Sequence, residues 1–184
     1  MKKVLLIAAF LTFGSLPFFA QAPSNPWFWD LNAGYNNSNK WMDGGWNYST
    51  RLGYAFTDNF KLNFDMGYLE GKVKDSSVKD HIWTFMLAPE YATSLTDSDQ
   101  VYGFIGAGFA RRDSFSYTLN AFPSPGRFAF GSETKWAAEA GVGYRHFFTK
   151  NVGINLQATY THMGFNDVEK INTVDGRIGL AVRF

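Results

Sequence analysis

The last eight residues alternate strictly between two kinds of side chain, and this alternation constrains the fold more than any other feature. From Arg177 to Phe184, every even-numbered position is apolar, while every odd-numbered position is small or charged. Successive side chains of a β-strand point to opposite faces, so the pattern predicts a strand with one apolar and one polar face. The apolar face of such a strand has to be covered by a protein core or by lipid.

Seven further segments share this two-residue period, which makes eight predicted strands in all. They cover residues 27–35, 46–56, 60–68, 83–91, 101–109, 136–144 and 152–160. The segment 101–109 is apolar on both faces, so its facing stays open. Short links alternate with long ones along the chain, as in membrane barrels with short turns at one end and long loops at the other. The sequence therefore predicts an all-β fold, an eight-stranded antiparallel up-and-down β-barrel.

The polar face of these strands indicates which side of the barrel is buried. It consists mainly of small residues and contains almost no lysine apart from Lys61. A solvent-facing surface would carry many long charged side chains, whereas a narrow lumen needs small ones. Aromatic residues make up 18% of the chain while the mean hydropathy is only −0.20, as expected for a barrel that spans a membrane with strands. We therefore expect a transmembrane barrel with its apolar face towards lipid.

The beginning of the chain has the pattern of a secretory signal peptide. Lys2 and Lys3 precede an apolar run over residues 4–13, and a small-x-small site ends at Ala22. The apolar run is shorter than the ~20 residues that a spanning helix requires. We therefore predict a signal peptide at residues 1–22 and a barrel at residues 23–184. The chain has no Cys, which excludes a disulfide framework.

The predicted lumen contains charges of both signs in equal number. Buried charges are tolerated when they are paired. We therefore predict an ion-pair network that closes the lumen, and no porin-like passage, because eight strands leave room only for side chains. The network consists of Asp30, Arg51, Lys61, Asp65, Glu90, Glu139, Arg145, Asp175, Arg177 and Arg183.

Aromatic residues gather at the ends of the apolar faces. Two aromatic girdles that flank an apolar band are typical of a bilayer-spanning barrel, because amphipathic rings settle at headgroup depth. The predicted girdle residues are Trp27, Tyr35, Trp46, Phe56, Phe60, Tyr68, Trp83, Tyr91, Trp136, Tyr160 and Phe184.

A strand that ends in a C-terminal aromatic, here Phe184, resembles the terminal strand of bacterial outer-membrane barrels. The whole pattern resembles the outer-membrane β-barrel domain family, in particular the small eight-stranded barrels of the opacity-protein and outer-membrane protein X and Ail type. The resemblance implies a bacterial outer-membrane location and contact with outer-membrane lipid and lipopolysaccharide. It further implies recognition of Phe184 by the barrel-insertion machinery and a structural or adhesive role at the cell surface.

Two long loops keep a β rhythm and predict hairpins that protrude beyond the membrane. The second has aromatic residues that are candidates for contact with an extracellular ligand. They equally fit burial in lipopolysaccharide or packing on one another, and both alternatives stay open. These residues are Phe115, Tyr117, Phe122, Phe128 and Phe130.

No catalytic constellation is predicted. A lipid A deacylase has a His-x-Ser pair near the end of its seventh strand, but Gly164 stands at the serine position after His162. The histidines, at positions 81, 146 and 162, are too scattered for a metal site. A net charge of +1 gives no field for nucleic acid, and no cofactor motif is present. We expect a non-enzymatic surface barrel. The alternatives are a channel for small hydrophobic compounds of the outer-membrane protein W type and, less favoured, a lipid A-modifying enzyme.

Overall fold

The computed structural model describes residues 24–38, 42–73, 79–119, 126–165 and 170–184, with residues 115–119 and 126–130 described by their backbone alone. The predicted signal peptide at residues 1–22 and the predicted loop residue Phe122 lie outside this part of the chain. No helix among the described residues is long and apolar enough to cross a membrane.

Eight long antiparallel strands close into a barrel in which β1 pairs with β10, and the predicted fold class is confirmed. Around the barrel the order is β1-β10-β9-β8-β5-β4-β3-β2, while β6 and β7 form a separate two-stranded sheet. The strands are β1 (Trp27–Ser38), β2 (Gly45–Ala55), β3 (Phe60–Lys72), β4 (Lys79–Ser94), β5 (Asp99–Arg112), β6 (Phe115–Leu119), β7 (Gly126–Phe130), β8 (Glu133–Phe147), β9 (Val152–Met163) and β10 (Ile171–Arg183).

Most of the strands run past the predicted apolar segments, chiefly at the end with the long loops. There, β4 begins at Lys79 and β9 ends at Met163. Backbone pairing continues beyond the apolar band because a ladder needs only partner backbone groups, not apolar side chains. At the short-turn end, β1 and β10 close the barrel. The backbone amides of Trp27 and Phe184 each donate to the carbonyl oxygen of the other residue over 3.1 Å.

The barrel has its polar face inside and its apolar face outside. In β9 inward residues such as Asn155 and Thr159 are buried, while outward residues such as Leu156 and Tyr160 are exposed. Large apolar side chains remain exposed on the outside around the whole barrel. A water-soluble barrel would have the reverse arrangement, because apolar surface is stabilised by removal from water.

The facing of β5, which the sequence leaves open, follows from its place between β4 and β8. Tyr102 and Phe104 are buried in the lumen, each 4% exposed, whereas Ile105 and Phe109 are exposed on the outside. The strand is apolar on both faces because it supplies two aromatic rings to the interior.

A hairpin extends the β5–β8 pair beyond the barrel. Arg112 pairs with Glu133 at the end of the barrel strands, and Phe115 pairs with Phe130 at the start of the β6–β7 sheet. The same register therefore continues after an interruption of two residues on each side. We call the β6–β7 sheet the ribbon.

Candidate functional site

The inner part of the lumen, near the short turns, is organised around Arg145 on β8. Its guanidinium donates to Glu90 over 2.6 Å and 3.0 Å, and to Asp30 over 2.7 Å. All three side chains are completely buried. Lys61 adds a second cation to Glu90, with its Nζ 3.3 Å from Oε1. Glu90 therefore lies between two cations, as a buried carboxylate requires.

A second pair lies next to this cluster and is connected to it. Arg51 donates from Nε to Asp65 Oδ2 over 2.8 Å, and the two residues face each other across the β2–β3 ladder. Its Nη1 lies 3.6 Å from Glu90 Oε2, which joins the pair to the Arg145 cluster. Five strands, β1 to β4 and β8, thus supply one continuous charged network.

A third pair lies nearer the long loops. Arg177 donates to both carboxylate oxygens of Asp175, over 2.5 Å and 3.2 Å, and to Ser49 Oγ over 3.0 Å. We call the eight charged residues of these clusters the ion-pair layer. It consists of Asp30, Arg51, Lys61, Asp65, Glu90, Arg145, Asp175 and Arg177.

Two of the ten predicted network residues are placed differently. Glu139 is buried in the lumen, but it belongs to none of the ion pairs and its Oε1 has no hydrogen-bond partner among the described residues. Arg183 belongs to no ion pair either. Its guanidinium lies 3.4 Å from the centre of the Phe147 ring, at the inner mouth of the lumen. The expectation that both residues join the network is corrected here, because an aromatic face takes the place of a carboxylate at Arg183.

Aromatic rings inside the lumen are the first feature that sequence reasoning missed. Arg145 lies 3.7 Å from the centre of the Tyr102 ring, Arg51 lies 4.1 Å from that of Phe104, and Lys61 lies 3.8 Å from that of Phe28. Stacking of a cation on an aromatic face stabilises both groups more strongly when they are desolvated. The signal that points to Tyr102 and Phe104 is the apolar character of both faces of β5 over residues 101–109, and no comparable signal on β1 points to Phe28.

An apolar cluster fills the lumen at the long-loop end and is the second feature that was missed. Two of its members come from outside the strands: Met42, which forms an isolated bridge with Val73, and Phe165, just after β9. We call this cluster the apolar layer. It consists of Met42, Leu69, Ile82, Met86, Ala110, Ala137, Met163, Phe165 and Ile171. The members on β3 and β4 lie on the same inward face of those strands as the charged residues. They differ from the charged residues only in their height along the barrel axis.

Comparison with known proteins identifies the family of this chain. The model of the outer membrane protein β-barrel domain matches residues 6–184. The chain belongs to this family. Its members are barrels of the bacterial outer membrane, and we therefore assign the chain to that membrane. No curated protein sequence matches it significantly.

Solved structures of small outer-membrane barrels share the fold at low sequence identity. Neisserial surface protein A is 16% identical, with a TM-score of 0.65 over 86% of this chain and 97% of its own. The Yersinia pestis attachment invasion locus protein Ail, in complex with the heparin analogue sucrose octasulfate, is 14% identical, with a TM-score of 0.51 over 86% and 99%. The outer-membrane enzyme PagL is 16% identical, with a TM-score of 0.52 over 84% and 99%.

Membership of the family orients this outer-membrane barrel. Short turns of such barrels face the periplasm and long loops face the exterior. The apolar layer is therefore extracellular and the Arg145 cluster is periplasmic. The predicted girdle residues all lie on the outside of the barrel. At the periplasmic end are Trp27, Phe56, Phe60, Tyr91 and Phe184, and at the extracellular end are Tyr35, Trp46, Tyr68, Trp83, Trp136 and Tyr160.

The histidines lie apart and bond to different neighbours. His81 Nδ1 is 2.5 Å from the Tyr68 hydroxyl, and His162 Nδ1 is 2.5 Å from Asn172 Oδ1. Thr161, the nearest hydroxyl residue in sequence to His162, is buried in the lumen on the opposite face. The described residues contain no group of His, Cys, Asp or Glu side chains that would hold a metal ion.

Asp99 forms a polar cluster at the periplasmic turn between β4 and β5. Its carboxylate accepts hydrogen bonds from the Thr96 and Tyr144 hydroxyls and lies 2.8 Å from His146 Nδ1. These hydrogen bonds to the ionised form hold the pKa of Asp99 well below its usual value. The cluster stabilises a short turn, and none of these partners of Asp99 belongs to the ion-pair layer.

Proposed function

We propose that this outer-membrane barrel is a closed surface protein that acts through its extracellular ribbon and loops. The observation that carries the proposal is the filling of the lumen by two different layers. The ion-pair layer occupies its periplasmic and central parts, and the apolar layer occupies its extracellular end. A lumen occupied in this way leaves the extracellular surface as the place where a partner binds.

The ribbon is the candidate contact surface. In the described part of the chain β6 pairs with β7 alone, so the other edge of each strand presents backbone donors and acceptors. An exposed strand edge can add an extended segment of a partner through main-chain hydrogen bonds. The proteins of similar fold include one named for attachment and invasion and one named a surface protein, which supports an adhesive role.

Adherence of bacteria that display the barrel tests this role. We expect cells with the full chain to adhere to heparin-coated or host-cell surfaces, and replacement of residues 114–131 by a two-residue turn to abolish adherence. A matched control shortens the β3–β4 loop at residues 74–78. Equal adherence of the ribbon-shortened and full-length barrels, both folded and displayed, would exclude the ribbon as the contact.

A permeability measurement tests the closed lumen independently. Vesicles that contain the purified barrel should swell no faster in small sugars than vesicles without protein. Swelling at a porin-like rate would contradict the closed lumen and favour a transport function.

The apolar layer supports a second candidate, binding of a small hydrophobic compound at the extracellular mouth. Passage through the barrel is disfavoured because the ion-pair layer lies below this mouth. If the compound binds among these residues, Phe165→Ala should change its affinity by several-fold in a fluorescence titration. An unchanged affinity would place any such binding elsewhere.

We also infer a non-catalytic role. This inference is supported by the separation of His162 from Thr161 on opposite faces of β9. Because PagL is an enzyme with a similar fold, the inference needs its own test. Mass spectrometry of lipid A from cells with and without the gene should show identical acylation, and a difference would overturn the inference.

Two proposals concern export and assembly. We propose that residues 1–22 are removed as a signal peptide, so N-terminal sequencing of the barrel from outer membranes should begin at Pro23. We further propose that the insertion machinery recognises Phe184, whose ring is 55% exposed on the outside. Phe184→Ser should lower the folded fraction in cells several-fold while leaving refolding into detergent unchanged.

A further inference from the structure

Two glycines in the barrel wall are not required by the packing of the protein. At thirteen of sixteen glycines in the described part of the chain, an added Cβ would approach another atom to less than 3.0 Å. At Gly176 it would meet nothing within 4 Å, and at Gly103 only the Gly141 carbonyl oxygen at 3.8 Å. Glycine weakens a strand, and within one it often marks a place where a ligand or another backbone approaches closely.

Both glycines lie on the outside of the barrel in the same row of paired residues. Gly176 on β10 pairs with Ala158 on β9, which pairs with Val142 on β8, which in turn pairs with Gly103 on β5. Gly103 pairs with Tyr91 on β4. The row therefore crosses five strands, with Ala158 and the two glycines beside the larger Val142 and Tyr91.

This row forms the floor of an open groove of about 840 Å³. Its periplasmic edge is formed by larger outward side chains of the adjacent row, including Ile178, Leu156 and Tyr144. The groove continues on β1 to Ala33. It is a concave strip on a surface that otherwise faces lipid with large side chains.

The groove runs obliquely through the apolar band. Gly176 and Ala158 lie in the extracellular half of their strands, whereas Gly103 and Tyr91 lie in the periplasmic half. Six strands spaced ~4.8 Å apart give a length of about 24 Å. Because barrel strands tilt by about 40°, a row perpendicular to them climbs about 15 Å, which is the depth of one leaflet of a ~30 Å hydrocarbon core.

The outward polar side chains of the groove lie at one end, whereas the side chains of Gln157 and Arg177 along its lining point into the lumen. Tyr91, Thr93 and Tyr144 have hydroxyls near the periplasmic girdle, while the other end, at Ala33, Gly176 and Ile178, is apolar. Tyrosine hydroxyls at this depth meet lipid headgroups. An occupant that fits has a polar head at the periplasmic side and a hydrocarbon chain that rises towards the other leaflet.

We propose that this groove binds one acyl chain of a phospholipid from the periplasmic leaflet, with the headgroup beside Tyr91 and Tyr144. A second copy of the barrel fits less well, because its outer surface is convex and would rest on the periplasmic edge without filling the floor. The inference is independent of the proposed surface role, since it concerns the lipid-facing wall and not the loops.

Native mass spectrometry of the detergent-purified barrel tests the site with two filling variants. We expect wild-type protein to keep one phospholipid through mild delipidation. In Gly103→Phe and Gly176→Phe the retained fraction should fall at least five-fold, because there is room for a Cβ at both positions and the ring beyond it would occupy the floor. Leu180→Phe is the matched control, since it adds a ring at an outward position outside the groove.

The heat-modifiable gel shift establishes that each variant is folded, and Gly103→Ala and Gly176→Ala provide milder fillings. Equal retention in wild type, Gly103→Phe and Gly176→Phe would overturn the proposal. A retained species with the mass of lipid A, or a dimer that the two variants dissociate, would overturn it as well, because each assigns the groove to a different occupant.

Discussion

The two layers of the lumen close the same barrel by opposite means. The ion-pair layer satisfies each buried carboxylate with a cation and covers several cations with aromatic rings. The apolar layer consists of aliphatic side chains, three Met and one Phe, and the only charge that the described residues place against its ring is Arg112, whose buried guanidinium lies 5.3 Å from the centre of the Phe165 ring. The comparison shows that the lumen of a membrane barrel does not have to be polar. Its outward face is dictated by lipid, whereas its lumen needs only to be filled and satisfied.

The largest effect is expected in the ion-pair layer. Arg145→Ala removes the cation that Glu90 and Asp30 share, and should lower the free energy of unfolding by about 3–5 kcal/mol because buried Asp30 loses its ion-pair partner and Glu90 loses one of its cations. Urea titration of the barrel in lipid vesicles measures this change. The control is Arg111→Ala at the exposed extracellular rim, which should stay within about 0.5 kcal/mol. A loss in Arg145→Ala no larger than in the control would contradict the role of the pair.

A variant that replaces the charges of the Arg145 cluster with neutral side chains tests whether charge itself stabilises the barrel. The quadruple variant Arg145→Met, Lys61→Met, Asp30→Asn, Glu90→Gln should recover most of the lost stability, because replacing buried ion pairs with well-packed neutral groups is often close to neutral. Lys61 is included because its ammonium would otherwise stay buried beside a neutral side chain. Failure to recover would show that the charges themselves, rather than their mutual satisfaction, stabilise the barrel.

The next largest effect is expected in the apolar layer. Ile82 is fully buried, so Ile82→Ala should cost about 3 kcal/mol through lost contacts and a cavity, and Ile82→Val about 1 kcal/mol. The same vesicle titration measures both. Because Ile82 and Arg145 belong to separate clusters, the double variant with Arg145→Ala should be additive within about 0.5 kcal/mol. A strong coupling between them would mean that the two layers act as one.

A smaller effect is expected where the apolar layer meets the backbone. A Cβ on Gly71 would lie 2.4 Å from Met42 Cε and 3.1 Å from the Asp43 carbonyl oxygen. Gly71→Val should therefore displace Met42 and cost about 1–2 kcal/mol, as overpacking does. Gly176→Val, at an open position on the outside, is the matched control and should cost nothing. Equal melting temperatures for the two variants would show that Met42 is not held in the lumen.

The smallest effect lies outside both layers, at the exposed carboxylate of Asp99. Its pKa is held below the unfolded value of about 3.9, so its hydrogen bonds stabilise the fold above about pH 4, and this contribution is lost as the pH falls towards the lower folded value. Asp99→Asn should therefore lower the melting temperature slightly at pH 7, by an amount that shrinks steadily as the pH is lowered below about 4. A difference that does not change with pH would exclude ionisation as its cause.

Sequence periodicity predicted the wall of this barrel better than its interior. The eight strands follow from a two-residue period because the direction of each side chain is a local property. The outward positions of Leu156 and Ile178 are examples. β5 is the exception, since Tyr102 and Phe104 make its inward face as apolar as its outward face.

The candidate site was predicted as a set of residues, but not as a set of contacts. Arg145 and Asp30 are 115 residues apart and Arg177 and Ser49 are 128 apart, so their contacts depend on how the strands are ordered and staggered around the barrel. The same stagger leaves Glu139 without an ion pair and places Arg183 on Phe147. No pattern along one strand contains this information.

Local alternation was thus sufficient for the strand count, the lipid-facing side and the presence of paired charges in a narrow lumen, because a two-residue period is encoded within each strand. Barrel closure decided which charges meet, which rings turn inward and at what level the interior changes from charged to apolar. These features depend on the register between distant strands, since only that register brings residues from opposite walls to the same height in the lumen.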